Sequence, residues 1–157
     1  MKPIFYILLA LPVVLAASAL LANRPPLFSP PGPWVRLKVY LGSNVACTAP
    51  DHPFPELREP RFAEPPGLLQ GRVEVALAAL GWPFRRLGDG VLHVQVSTPL
   101  LGFVDDMEVR ILADGEGTRL HLCSRSRVGR ADFAANQRHI RELLEMLRLQ
   151  AIPPVSH

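Results

Sequence analysis

From Pro3 to Ala22 the chain runs for about twenty residues without a single charge. As a helix such a run has apolar residues on every side and no polar face to offer to water, which argues against a surface or core helix of a soluble domain. Its length, about 20 residues, is what a helix needs to cross hydrocarbon. The same run also fits an export signal: Lys2 supplies a positive start, Ile4 to Leu15 the apolar centre, and Ala17, Ser18 and Ala19 the small residues of a cleavage site. Either way, residues 1–22 are a transmembrane anchor or a signal peptide. Lys2 on one flank is answered by Arg24, Arg36 and Lys38 on the other, so charge sets the orientation poorly. The expectation is a membrane partner for residues 3–22 and a domain on the extracytoplasmic side. No cysteine follows the run, so a lipid-modified N-terminus is not expected.

Residues 23–43 read as a proline-rich tether. Pro25, Pro26, Pro30, Pro31 and Pro33 favour extended polyproline geometry and would hold a domain away from a surface. Trp34 to Leu41 alternates weakly and predicts a strand. From Gly42 to Gly67 six more prolines leave little periodicity, so this stretch is expected to lie across the rest of the domain. With 157 residues in all, there is room for about one domain, here residues 44–149 with a tail at 150–157. The balance of 17 Lys plus Arg against 14 Asp plus Glu is too even to make nucleic acid the default partner.

Beyond Gly67 the periodicity is legible. Leu69, Val73, Ala76, Leu77 and Leu80 recur at helical spacing, and Gly81 with Pro83 ends the pattern. Phe84 to Leu87, Val91 to Thr98, Phe103 to Leu112 and Thr118 to Ser126 predict four strands separated by glycine turns. A last helix opens at Asp132, whose carboxylate can cap the first turn, and carries Phe133, Asn136, Ile140, Leu143, Leu144 and Leu147 on one side. The fold class is therefore α+β: a two-layer sandwich of about four antiparallel strands with two helices on one face, preceded by the N-terminal hydrophobic helix.

Strand alternation sorts the polar residues. Asp105 shares a face with Phe103, Met107, Val109 and Ile111, so its carboxylate points into the apolar layer. A tight turn at Gly115 and Glu116 sets it opposite Ser126, with Ser124 on the same face and Asn136 above on the last helix. A buried aspartate needs partners, and Ser126, Asn136 or Arg127 at the strand end can supply them. This cluster reads either as a network that fixes the helix to the sheet or as an acid/base or ligand site. On the other face Asp106 meets Arg125, Glu108 meets Cys123, and Arg110 meets His121. Crossed pairs on a solvated sheet account for these, and the neighbouring arginines oppose a metal ion held by Asp106, Glu108, His121 and Cys123. Arg127 and Arg130 beside the helix start could hold an anion, but Asp132 itself fills that position.

The strings Gly102-Phe103-Val104-Asp105-Asp106-Met107-Glu108 and Ser124-Arg125-Ser126-Arg127-Val128-Gly129, followed by Asp132, Asn136 and Arg138, resemble the DUF1499 family of uncharacterised envelope and plastid proteins. The resemblance extends from about Asn44 to Leu149. It implies a family and an envelope setting, not an activity. Cys123, Arg125 and Arg130 depart from the family pattern.

No nucleophile elbow, zinc-protease helix, Cys-x-x-Cys or phosphate-binding glycine loop is present. A triad of Ser126, His121 and Asp105 fails because His121 points to the opposite face. His52, His93, His139 and His157 have no evident carboxylate partner and are expected at the surface. Cys47 and Cys123 are expected as free thiols. Together these readings favour a non-catalytic module that binds an envelope protein, an anionic small molecule or a lipid headgroup, with no cofactor and no metal. The candidate motif is Asp105, Asp106, Glu108, Ser124, Ser126, Arg127, Gly129, Asp132, Asn136 and Arg138. The alternative is a hydrolase-like enzyme using Asp105 and Arg127. The two differ in whether Asp105 lines an open cleft or lies sealed beneath the last helix.

Overall fold

The computed structural model describes residues 2–98 and 102–150, so the tail after Gln150 lies outside the described residues. Helix α1 (Lys2–Asn23) takes up the whole uncharged run, with Pro12 inside it. Among the described residues, no helix is long and apolar enough to cross a membrane. The final turn of α1 is built into the domain. Leu20 packs against the core, Asn23 Nδ2 donates to Phe133 O at 2.8 Å, and Asn23 O accepts from Arg141 Nη2 at 2.9 Å.

The segment after it is anchored rather than extended. Residues 33–42 form helix α2 (Pro33–Gly42), not the strand that weak alternation predicts. Pro33 suits the first helical turn, where its missing N–H goes unused, and Arg36 and Tyr40 lie one turn apart on the buried side. Arg36 is wholly buried. Its guanidinium forks onto Glu56 at 2.6 and 3.0 Å, donates to Tyr40 Oη at 2.9 Å and to the carbonyls of Ser29 and Pro30, and lies 4.3 Å from the centre of the Phe54 ring. A buried cation is tolerable only when its donors are this fully engaged. Leu27 also packs on the core.

The sheet has six strands where about four are expected: β1 (Val45–Cys47), β2 (Arg61–Phe62), β3 (Phe84–Gly88), β4 (Val91–Ser97), β5 (Val104–Asp114) and β6 (Gly117–Ser126). The order is β1-β6-β5-β4-β3, with β2 also pairing β6, and all pairs are antiparallel. The two additional strands come from the proline-rich stretch, where three-residue and two-residue strands leave no readable period. The β5–β6 register is the one expected: Asp105 opposite Ser126, Asp106 opposite Arg125, Glu108 opposite Cys123 and Arg110 opposite His121.

Strand β1 also corrects the cysteines. It sets Cys47 directly opposite Cys123, and the two form a disulfide rather than free thiols. Closing a loop across a sequence separation of 76 constrains the unfolded chain by on the order of 4 kcal/mol.

Helix α3 (Pro66–Ala79) buries Leu69, Val73, Ala76 and Leu77, the stripe its spacing predicts. Helix α4 (Ala135–Gln150) buries Ile140, Leu143, Leu144 and Leu147. Both pack on one sheet face against Leu92, Val94, Val96, Met107, Val109, Leu120 and Leu122. The α+β class therefore holds. The last helix starts at Ala135, three residues later than expected, because Phe133 and Ala134 both take positive φ (51° and 68°) before it.

Candidate functional site

The polar cluster forms under the first turn of α4, and strand alternation puts it there. Asp105 is 3% exposed, and Ser124, Asn136 and His139 are fully buried. Asn136 is the hub. Its Oδ1 accepts from Ser124 Oγ at 2.6 Å, and its Nδ2 donates to Asn44 O (2.8 Å), Ser126 Oγ (2.9 Å) and Asp132 Oδ2 (2.6 Å). Asp132 caps the helix as expected, accepting from Ala134 N at 2.9 Å and Asn136 N at 3.0 Å. This carboxylate occupies the helix start, where an anion would otherwise sit, and Arg127 turns away from it to Asp106.

The left-handed residues belong to the same device. A non-glycine residue there costs of order 1–3 kcal/mol. Here the turn is held from outside: Asp132 N donates to Ser43 O, Phe133 N donates to Tyr40 O, and Phe133 O accepts from Asn23. The turn thus ties the end of α2 and the end of α1 to the start of α4.

Asp105 does not pair with Arg127. Arg127 reaches the opposite face, where its Nε and Nη2 fork onto the two oxygens of Asp106, each at 2.7 Å. Burial pushes the Asp105 carboxyl above its ordinary range, and the Ser126 hydroxyl is the main influence lowering it. That hydroxyl already accepts from Asn136, so its own proton is free for Asp105. The remaining neighbour is His139, expected at the surface but found with Nδ1 3.5 Å from Asp105 Oδ2. Burial, and then the charge of Arg138, lower His139 to about 4, so the ring is neutral at pH 7. Arg138 Nη2 lies 3.3 Å from His139 Nε2. Since a guanidinium can only donate, the ring proton sits on Nδ1, which approaches Asp105 but is buried without a hydrogen-bond partner. His139 and Asn44 belong to the cluster and are missing from the sequence reading. His139 is three residues after Asn136 on the same helical side, which is the signal that could have found it.

The outer face carries a second group around Asp106, whose carboxyl is held below its usual range chiefly by the Arg127 hydrogen bond. His93, another histidine expected to lack a partner, lies 3.2 Å from it. Glu108 turns to Arg110, and His121 Nδ1 meets Glu59 at 2.7 Å. Among the described residues no group of acidic, histidine and cysteine side chains could hold a metal ion. Gly129, at φ 92°, offers its carbonyl to Asn44 Nδ2 at 2.7 Å. Arg138 touches the inner group through His139 and also lines a cleft of about 530 Å³ between α1 and α4. The ten candidate residues thus divide into an inner set (Asp105, Ser124, Ser126, Asp132, Asn136), an outer set (Asp106, Glu108, Arg127), a turn (Gly129) and a cleft (Arg138).

The sequence model of the family described as "Protein of unknown function (DUF1499)" matches residues 67–147, more than half of the chain. The chain is a DUF1499 protein. No curated protein matches it. The DUF1499 match begins in α3 and ends in α4, so it contains all ten candidate residues. Asn44 and Asn23, which tie the earlier part of the chain to that unit, lie outside it.

Proposed function

We propose that this DUF1499 protein is a membrane-associated, non-catalytic binding domain on the extracytoplasmic side, with α1 retained as its anchor. The observation that carries the reading is the exposed apolar surface of α1: Leu8, Leu11, Val13, Val14, Leu15 and Leu21 are each at least half exposed. Water does not tolerate so continuous an apolar surface, and a bilayer or a hydrophobic partner would cover it. Docking of Leu20 and Asn23 on the domain supports retention of the helix. The Cys47–Cys123 disulfide supports an oxidising compartment.

The non-catalytic part of the reading rests on the sealed state of the inner cluster. A working acid or base must reach a substrate proton, directly or through one water, and Asp105 lies beneath α4. The enzyme alternative relied on Asp105 acting with Arg127, and these two side chains lie on opposite faces of the sheet. Flotation of the full chain with neutral phosphatidylcholine vesicles tests membrane association. The parent should rise with the vesicles, and Leu8→Asp with Leu15→Asp should leave it at the bottom. A parent that stays at the bottom contradicts the reading.

A further inference from the structure

We propose that the cleft between the end of α1 and α4 binds a phosphate-bearing anion, for which its position favours a phospholipid headgroup. This deepens the membrane reading above and rests on it. Four arginines reach the cleft, Arg24, Arg138, Arg141 and Arg148, with Glu56, Glu142 and Glu145 among its other residues. The acids are already engaged. Glu56 holds the buried Arg36, Glu142 lies 3.5 Å from Arg138, and Glu145 lies 3.8 Å from Arg148. Arg24 and Arg141 make no ion pair among the described residues, which leaves two positive charges facing the same space.

Their donors are also under-used. A guanidinium carries five N–H donors. Arg141 spends one on Asn23 O, and its Nε is buried without a partner. Arg138 Nε makes no hydrogen bond and faces Glu142 only in the 3.5 Å ion pair. Arginine forks match the oxygens of a phosphate, and a phosphate bridging Arg24 and Arg141 would use donors the protein leaves idle.

Position selects the source. Ala22, Asn23 and Arg24 line the cleft at the last turn of α1. A bilayer covering the apolar part of α1 would have its headgroup layer at this level, where arginines meet anionic lipid. The flanking chain has the composition of that layer. Phe28 and Trp34 are 86% and 83% exposed, and aromatic residues concentrate at the membrane–water boundary. Phe28 adjoins Ser29, whose carbonyl Arg36 bonds, and Trp34 lies two residues before Arg36 in α2.

The test is a titration of the full chain in neutral detergent micelles with short-chain phosphatidylglycerol, glycerol 3-phosphate, inorganic phosphate and phosphatidylcholine in turn. Saturable one-to-one binding of phosphatidylglycerol is expected, weakened about tenfold in Arg24→Glu and Arg141→Gln, and unchanged in Arg85→Glu on the exposed face of β3. Arg24 is exposed, so its variant carries the test should Arg141→Gln fail to fold. Equal binding of glycerol 3-phosphate or inorganic phosphate, lost in the same variants, supports the site with a soluble source. Absence of saturable binding by all three anions overturns the proposal, as does equal weakening in Arg85→Glu. If the chain floats with neutral vesicles yet fails this titration, the cleft proposal falls alone. If it does not float, the membrane reading falls.

Discussion

Asp105 and Asp106 are neighbours in one strand and live under opposite rules. Asp105 faces the helices, is sealed, has no cationic partner, and is pushed by burial toward its protonated form. Asp106 faces outward, takes a bidentate arginine and a histidine, and is held in its ionised form. One step of strand alternation moves a carboxylate from a network that fixes packing to a charge pair that water screens. The inner face should therefore carry the stability, and the outer face should tolerate change. Cross-linking is the exception, because Cys123 shares the outer face with Asp106.

That exception gives the largest expected effect. Reducing the disulfide, or replacing both cysteines with serine, should lower unfolding free energy by on the order of 4 kcal/mol, read from urea melts with and without reductant. A reduced protein that melts like the oxidised one would remove the one strong outer-face contribution. Next comes His139. The unfolded ring takes up a proton near its ordinary value of 6.5, whereas the folded ring resists until about 4. Stability present above that window is lost as pH falls through it, by roughly 3 kcal/mol in all. Asp105 has the opposite sign: its raised value makes the folded state take up a proton first, so it offsets part of the loss. Melts at pH 7 and pH 4 should show the fall in the parent and a flatter profile in His139→Leu. A third variant, Asn136→Ala, removes the hub and leaves Ser124, Ser126 and Asn44 O short of partners. About 2 to 3 kcal/mol should be lost, with amide exchange quickened at the start of α4.

How much of this was legible follows from where the periods are long. The seven to eleven residues of β4, β5 and β6 fix which side chains face inward, so the register and the inward turn of Asp105 read directly from alternation. The stripe on α3 did likewise. Between Gly42 and Gly67 the strands are two or three residues long, too short for any period, and with them went β1, the pairing of Cys47 with Cys123, and Asn44 in the cluster. Helix α2 was misread because its buried positions are Arg36 and Tyr40, polar residues that a hydrophobic pattern does not count. Arg127 was misassigned although alternation, carried one residue past Ser126, puts it on the outer face with Asp106, where it is found. His139 was missed because a neutral buried histidine carries no charge signal in sequence.

The smallest expected effect lies on the outer face. Asp106→Ala removes an exposed pair and should cost within about 1 kcal/mol.

Set beside its neighbour, the same substitution gives the most direct test. Equilibrium urea unfolding of Asp105→Ala and Asp106→Ala, in parallel with the parent at pH 7, measures what each face contributes. The inner variant strands the Ser126 hydroxyl beneath α4 and should lose about 2 kcal/mol or more, while Asp106→Ala stays close to the parent. If Asp105→Ala unfolds with the parent, or Asp106→Ala loses as much, the sealed cluster does not fix the helix to the sheet, and Asp105 belongs to a working site.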